Sequence, residues 1–440
     1  LLMSKQFILF EDATADSAFE SNISKHKYPL REVDVGNITF QSGQAEPVHK
    51  WYRLTPSFSP GLVRFFLKHF EIGSRDLVLD PFSGRGTTAI ECQKHGIPCV
   101  AYEINPSLQR VGALSLLWRP TRSDLFEEFL EDLRTEVRAA RSLTMDDLLA
   151  KFETSLPIIH DLYRWWQKPV LKDLIIAREL ARSSKFRQIG HFLWLAVASS
   201  VLDCANIHRN HPTITFDDDH QREIIVEDVL SAKVADIQGD LDSMSEEEAV
   251  HSGLATVEPN NSCQLLESGL AGNKCTHVIT SPPYPNRFSY VHQTRPELHF
   301  MELIRERREA TEIDLRSVGG TWGRATSVLA KSYISPPGEL EPILDYIKDL
   351  KPKSILMCNY ATKYFLDLNK HIQLLRNVVA PGFRGAYVVG NSRLSGVEIF
   401  TETILSRIFE LNGFMVDEII LFRKRGGRQR LYETAVCIKA

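Results

Sequence analysis

Cysteine is scarce and unpatterned: 7 in 440 residues, at Cys92, Cys99, Cys204, Cys263, Cys275, Cys358 and Cys437, with no CxxC pair and no Cys/His spacing of zinc type. This excludes a disulfide-stapled scaffold and a cysteine zinc site, and it fits reduced thiols in a cytoplasmic protein. Long apolar runs are missing too. The longest, around Phe192–Leu202, is too short and interrupted to span a bilayer, and no apolar segment near Met3 reads as a signal peptide. Nor is there an excess of positive charge. Lys and Arg number 52 against 56 Asp and Glu, a net charge of −4, so any phosphate-binding surface must be local and offset elsewhere.

What is present is an ordinary globular composition, 43% hydrophobic and 25% charged, on a chain long enough for one large domain and a second module. The organising stretch is Leu77–Asn105, LVLDPFSGRGTTAIECQKHGIPCVAYEIN. Leu77, Val78 and Leu79 read as a strand buried on both faces; the glycine loop follows, and Thr87, Thr88 and Ala89 open a helix whose first amides face that loop. A second strand, Cys99–Tyr102, ends in Glu103, 17 positions after Gly86. That is near the roughly 20-residue spacing at which a strand-end carboxylate reaches a ribose hydroxyl pair in nucleoside-binding βαβ units.

Much later comes THVITSPPYPNRFSY, residues Thr276–Tyr290. Val278 and Ile279 end a buried strand, and Ser281, Pro282, Pro283 and Tyr284 form a stiff loop at its carboxyl end. Two prolines remove amide donors and leave carbonyl acceptors, Ser281 adds a hydroxyl, and Tyr284 adds a flat face for stacking on a base.

DPFSGRGTT followed by EIN resembles the S-adenosylmethionine motif of class I methyltransferases, and SPPY resembles the catalytic motif IV of the enzymes that methylate exocyclic amino groups of nucleic-acid bases. The resemblance covers Trp51–Tyr102 and Asn261 to the carboxyl end. It implies an α/β, Rossmann-like class I methyltransferase fold: a seven-stranded mixed sheet with a terminal antiparallel hairpin, plus a largely helical insertion. Four regions are expected: residues 1–50 as an arm or cap, 51–118 as the cofactor-binding half, 119–257 as an insertion for target recognition, and 258–440 as the catalytic half. Short strands are read around Leu30–Val35 and Asn37–Gln41, a further apolar run at Ser354–Asn359, and the last two strands at Asp417–Phe422 and Glu433–Lys439.

The resemblance also assigns residues. Asp80, Phe82, Gly84, Gly86, Thr87, Thr88 and Glu103 are expected at the cofactor, S-adenosyl-L-methionine. Ser57 and Phe58 look like motif X, beneath its methionine end, and Asn261 stands where the family's third motif usually has an acid. Ser281, Pro282, Pro283 and Tyr284 are the catalytic set. Nucleic-acid contacts are expected from Arg287, from Trp322 in a mobile glycine-bounded loop, and from Arg423, Lys424, Arg425, Arg428 and Arg430 in the last hairpin turn. The order of motifs, X, I, insertion, IV, is that of the α group.

The implied activity is direct methyl transfer to cytosine N4 in double-stranded DNA, on a flipped base. Ser281 favours cytosine over adenine N6, where Asp or Asn is usual. No metal and no membrane are expected; a cognate restriction endonuclease without stable complex is a further partner. A DNA adenine-N6 methyltransferase is the first alternative, and a tRNA guanine-N2 methyltransferase and a catalytically silent DNA-binding subunit are further ones.

Overall fold

The computed structural model describes residues 28, 30–36, 43, 45–54, 57–118, 122–208, 214–217, 223–264, 270, 272–320, 324–425 and 431–440. The strands differ widely in length. They are β1 (Leu30–Glu32), β2 (Val78–Asp80), β3 (Cys99–Glu103), a ribbon of β4 (Ile207–His208) and β5 (Thr215–Phe216), then β6 (Ala255–Pro259), β7 (Cys275–Thr280) and β8 (Val379–Gly390). A small hairpin, β9 (Ser392–Leu394) with β10 (Val397–Ile399), precedes β11 (Met415–Arg425) and β12 (Leu431–Lys439).

Eight of these strands make one sheet in the order β1-β11-β12-β8-β7-β2-β3-β6. Only β12 opposes its neighbours; every other pairing is parallel. Val78, Leu79, Val278 and Ile279, in the two central strands, are fully buried, which is why their runs are continuously apolar. After β2 the chain moves outward through β3 towards β6, and then crosses back to place β7 on the other side of β2. The loops after β2 and β7 therefore diverge from adjacent strand ends and open a crevice between them.

The longer helices are α1 (Pro60–His69), α2 (Thr87–Lys94) and α3 (Pro106–Leu114); in the insertion α4 (Asp124–Ala139), α5 (Lys168–Arg182), α6 (Gly190–Asp203) and α7 (Val226–Ser243); then α8 (Tyr290–Phe300), α9 (Arg307–Arg316), α10 (Ile355–Leu375) and α11 (Thr401–Leu411). α3 starts where Asn105 accepts the Ser107 amide and Pro106 presets the first helical φ. α4 buries Leu125, Phe126, Phe129 and Leu133 and turns its charges outward, whereas α6 is buried along nearly its whole length. No helix among the described residues is long and apolar enough to cross a membrane.

Three expectations change, and a fourth falls outside the described residues. The sheet has eight strands rather than seven, because β1, from the region read as an arm, extends it by pairing with β11. Asn37–Gln41 lies outside the described residues. The boundary at 257 falls inside β6, a parallel strand paired with β3; its alternating VEP ending hid it from a search for a continuous apolar run. Ser354–Asn359 is no strand. Ser354 caps α10 by accepting the Met357 amide, and Met357, Ala361, Phe365, Leu368, Ile372 and Leu375 then follow the helical period on its buried side.

The insertion is tied to residues 48–51 and to the end of α8 by buried polar contacts. Asp240 on α7 accepts from the Val48 amide at 2.8 Å and from Trp51 Nε1 at 2.7 Å, and Arg178 on α5 donates to the Phe300 carbonyl at 2.7 Å. Its apolar core is continuous with that of the cofactor half, Trp51 meeting Phe192 edge to face at 5.9 Å.

At the α2 N-terminus Gly86 has φ +90°, and a Cβ there would stand 3.1 Å from the Cα of Gly112 on α3. Gly86→Ala is expected to destabilise the fold by about 1–3 kcal/mol, through left-handed strain and overpacking together. Urea unfolding of the two proteins measures it.

Candidate active site

The crevice at the β2/β7 switch is a cavity of about 220 Å³. On the β2–β3 side the glycine loop supplies Phe82, Ser83, Gly84 and Arg85, and β3 ends in Glu103. Gly84, at φ +55°, points its amide at Glu103 Oε2 (2.8 Å), and the Asn105 amide holds Oε1 at 2.8 Å. The carboxylate is thus fixed at both oxygens yet keeps surface in the cleft. Burial pushes its pKa up to about 7, against the lowering effect of those two amides. Ser83 Oγ is buried in the same wall without a hydrogen-bond partner.

Behind this wall, Asp80 accepts from Thr280 Oγ1 at 2.6 Å and from the Phe82 amide at 3.1 Å, joining β2 to β7. Burial raises its pKa to about 6. Arg85 turns away from the loop: fully buried, it donates to the carbonyls of His49 and Tyr52. The segment that leads to Ser57 and Phe58 is thereby bound under the glycine loop.

On the β7 side, Ser281, Pro283 and Tyr284 line the cleft, with Pro282 buried between them. Tyr364 on α10 donates to the Pro283 carbonyl at 2.7 Å, stiffening the loop further. The Tyr284 hydroxyl donates to Glu433 Oε1 at 2.5 Å, and Arg423 Nε donates to Glu433 Oε2 at 2.6 Å. Arg423 and Glu433 are cross-strand partners near the turn end of the β11–β12 hairpin, and both line the cleft. The two sides meet at Tyr290, whose phenol is pushed up first by burial and then by the charge of Glu103.

Of the cofactor candidates, Ser57, Phe58, Phe82, Gly84, Thr87, Glu103 and Asn261 line this cleft, whereas Asp80, Gly86 and Thr88 do not. Asp80 joins strands, Gly86 lets α3 approach, and the fully buried Thr88 donates to the Ile279 carbonyl at 3.4 Å. Asn261 is in the wall, but its amide accepts from the Cys263 amide (2.9 Å) and donates to the Arg316 carbonyl (3.3 Å). Arg423, read as part of the hairpin turn, lies in β11 and lines the cleft, where its register sets it opposite Glu433. Arg287 is exposed beside the SPPY loop at φ +60°. Trp322, Arg428 and Arg430 lie outside the described residues, and of Lys424 and Arg425 only the backbone is described.

The loop read as mobile is packed at its start: Gly320 sits so close to α9 that a Cβ would fall 1.7 Å from the Asp314 carbonyl oxygen. Sequence reasoning missed Glu433, Asp314 and Ser289, whose hydroxyl donates to Asp314 at 2.7 Å in the cleft wall. They belong to no motif, and single polar residues in strands and helices carry no local signal. Arg85 could have been found, as a cation inside a glycine loop.

The donor set fits S-adenosylmethionine. Glu103 is placed for a ribose hydroxyl pair, Ser83 has an unused hydroxyl, and Phe82, Leu108 and Ile104 give apolar walls.

Residues 37–113 match the family model described as DNA methylase. The chain is similar over 92% of its length to the type II methyltransferase M.BsoBI of Geobacillus stearothermophilus, at 23% identity over 86% of that protein. It is similar to the type II methyltransferase M.AvaI of a Nostoc species at 22% identity, over 92% of this chain and 86% of that one. A shorter stretch, 16% of this chain and 13% of the other, is 42% identical to the type II methyltransferase M.MjaII of Methanocaldococcus jannaschii. These matches bear out the resemblance read from the two motifs.

Two outcomes are expected. A carboxyl with its pKa raised to about 7 loses its charge at a higher pH than an ordinary acid, and the anion is the form that accepts ribose hydroxyls. Affinity for S-adenosylmethionine should therefore fall as pH drops through about 7, approaching tenfold per unit below it, in calorimetric titrations from about pH 8 to about pH 6. Glu103→Gln should flatten that profile. Glu433→Ala, which frees the Tyr284 ring, should lower kcat by about 10–100-fold in steady-state assays while cofactor affinity holds within about twofold.

Proposed function

Starting from an amino-methyltransferase of the N4/N6 family, with S-adenosylmethionine as its methyl donor, we propose that this chain methylates double-stranded DNA at the exocyclic N4 of cytosine. The observation that carries the proposal is the SPPY loop, held rigid and beside Glu103 across one crevice. The bound cofactor supplies an electrophilic methyl group on a sulfonium. Everything else is asked of the chain. Glu103 and Ser83 fix the nucleoside end through hydrogen bonds, and Ser57 and Phe58 close the opposite side.

A base inside a duplex cannot present its amino nitrogen to this crevice, so it must leave the stack. Tyr284, its ring set by Glu433, offers the stacking face. Ser281 Oγ and the Pro282 carbonyl accept the two amino hydrogens, which turns the nitrogen lone pair out of conjugation and towards the methyl group. The N–C bond forms as the S–C bond breaks, and the surplus proton leaves the nitrogen through these acceptors. No cysteine nucleophile is needed, and the seven cysteines are all buried. Serine at the head of the loop favours cytosine; adenine N6 is the second reading, since the same acceptors would hold that amino group. A cognate restriction endonuclease, forming no stable complex, is the partner proposed.

Labelled methyl transfer to unmethylated duplex DNA and to bulk tRNA, followed by nucleoside digestion and mass spectrometry, tests this. N4-methylcytosine in DNA, lost by at least about 100-fold in Tyr284→Ala, is expected. N6-methyladenine would move the acceptor and keep the mechanism. Label in tRNA alone, or none, would reject the DNA substrate.

A further inference from the structure

Helix α8 leaves the catalytic loop and carries His292, Arg295 and His299 at spacings of three and four residues, which sets them on one helical face. The neighbouring face is core: Val291, Thr294 and Leu298 are buried, and Thr294 Oγ1 accepts from Asn105 Nδ2 at 2.8 Å. Helix α9 packs on α8 and starts with the exposed Arg307, whose charge acts on both Arg295 and His299. Two guanidiniums and two imidazoles thus share this side of the helix pair.

Among the described residues neither Arg295 nor Arg307 has an ion pair, and the acid acting on His299, Glu309, is engaged: its Oε1 accepts the amides of Arg305 (2.8 Å) and Glu306 (2.7 Å). Arg295 is half-buried, 5.6 Å above the Trp165 ring of the insertion, and its Nε has no hydrogen-bond partner. His299 Nδ1 is likewise buried and unpartnered. A guanidinium removed from water beside a second one, with a donor left over, is unfavourable until an anion arrives. Burial and the two arginines hold His299 down to about 4, so near neutral pH it is an uncharged ring behind them.

Position says which anion. Arg295 lies five residues along α8 from Tyr290 in the cleft wall, about 7.5 Å of helix, between the catalytic loop and the insertion. We propose that Arg295 and Arg307, backed by His299, clamp a backbone phosphate of the DNA strand that delivers its base to Tyr284. A planar fork with a free Nε–H and a second guanidinium suits a phosphate's several oxygens. This rests on the DNA reading above.

The test is binding of a fluorescein-labelled duplex by anisotropy, across about 50 to 300 mM salt, using the full chain and the variants Arg295→Gln, Arg307→Gln and, as a neighbouring control, Arg308→Gln. Loss of the clamp should weaken binding about tenfold and lower the slope of log K against log salt by about one, irrespective of duplex sequence, with cofactor titrations unchanged. Arg295→Lys should recover most of the slope but not the affinity. Arg307 is exposed, so its variant tests the site even if Arg295→Gln fails to fold. A wild-type chain that methylates DNA, with slopes unmoved by Arg295→Gln and Arg307→Gln or moved equally by Arg308→Gln, overturns the clamp alone. A wild-type chain that neither binds nor methylates DNA overturns the substrate reading and the clamp with it.

Discussion

The pairing of β2 with β7 is the constraint on which the rest depends. It is short, with Val78 opposite His277 and Leu79 opposite Val278, and it is reinforced by the buried Thr280 hydroxyl on Asp80. Two backbone segments almost 200 residues apart are joined there, and from that seam the glycine loop and the SPPY loop diverge. If the seam slipped by one residue, every side chain of β7 would change face and the SPPY loop would leave the crevice. Asp80 therefore belongs to the site by position although it touches none of its space.

The cleft is built from carboxylates that are each given partners. Glu103 has two amides, Glu433 a phenol and a guanidinium, and Asp314 the Ser289 hydroxyl. Buried acids without such partners would cost several kcal/mol or protonate. Here the hydrogen bonds do two things at once: they make burial tolerable and they fix geometry, since a carboxylate held at both oxygens cannot rotate. The tyrosine of the SPPY loop is oriented by the same device from β12, two strands across the sheet from β7.

The central βαβ unit was legible because its information is local: apolar run, glycines, acid at a set spacing. Glu103, Gly84, Ser281 and Tyr284 follow from it and from the later motif. What sequence reading lost was set by tertiary context. β6 is covered on one face only and lacks a continuous apolar run, so it passed for insertion. Ser354–Asn359 is apolar enough for a strand, and only the period continuing past Ala361 tells helix from strand. Arg423 was read as part of a basic turn, yet its place is decided by a cross-strand partner that no linear window contains. Thr88 and Gly86 sit inside the motif but serve packing, a distinction that spacing cannot draw.

The insertion's attachment has a consequence for modularity. Asp240 receives both a main-chain amide and an indole from residues that precede the glycine loop, and Lys50 reaches the same carboxylate at 2.8 Å. A segment joined to its host only at its two chain ends could be exchanged as a cassette between relatives to change what is recognised. This one is keyed to a stretch far upstream, so its surface positions are free to diversify, while the helices beneath must co-evolve with residues 45–54. Transplanting the whole insertion without that stretch would orphan a buried carboxylate.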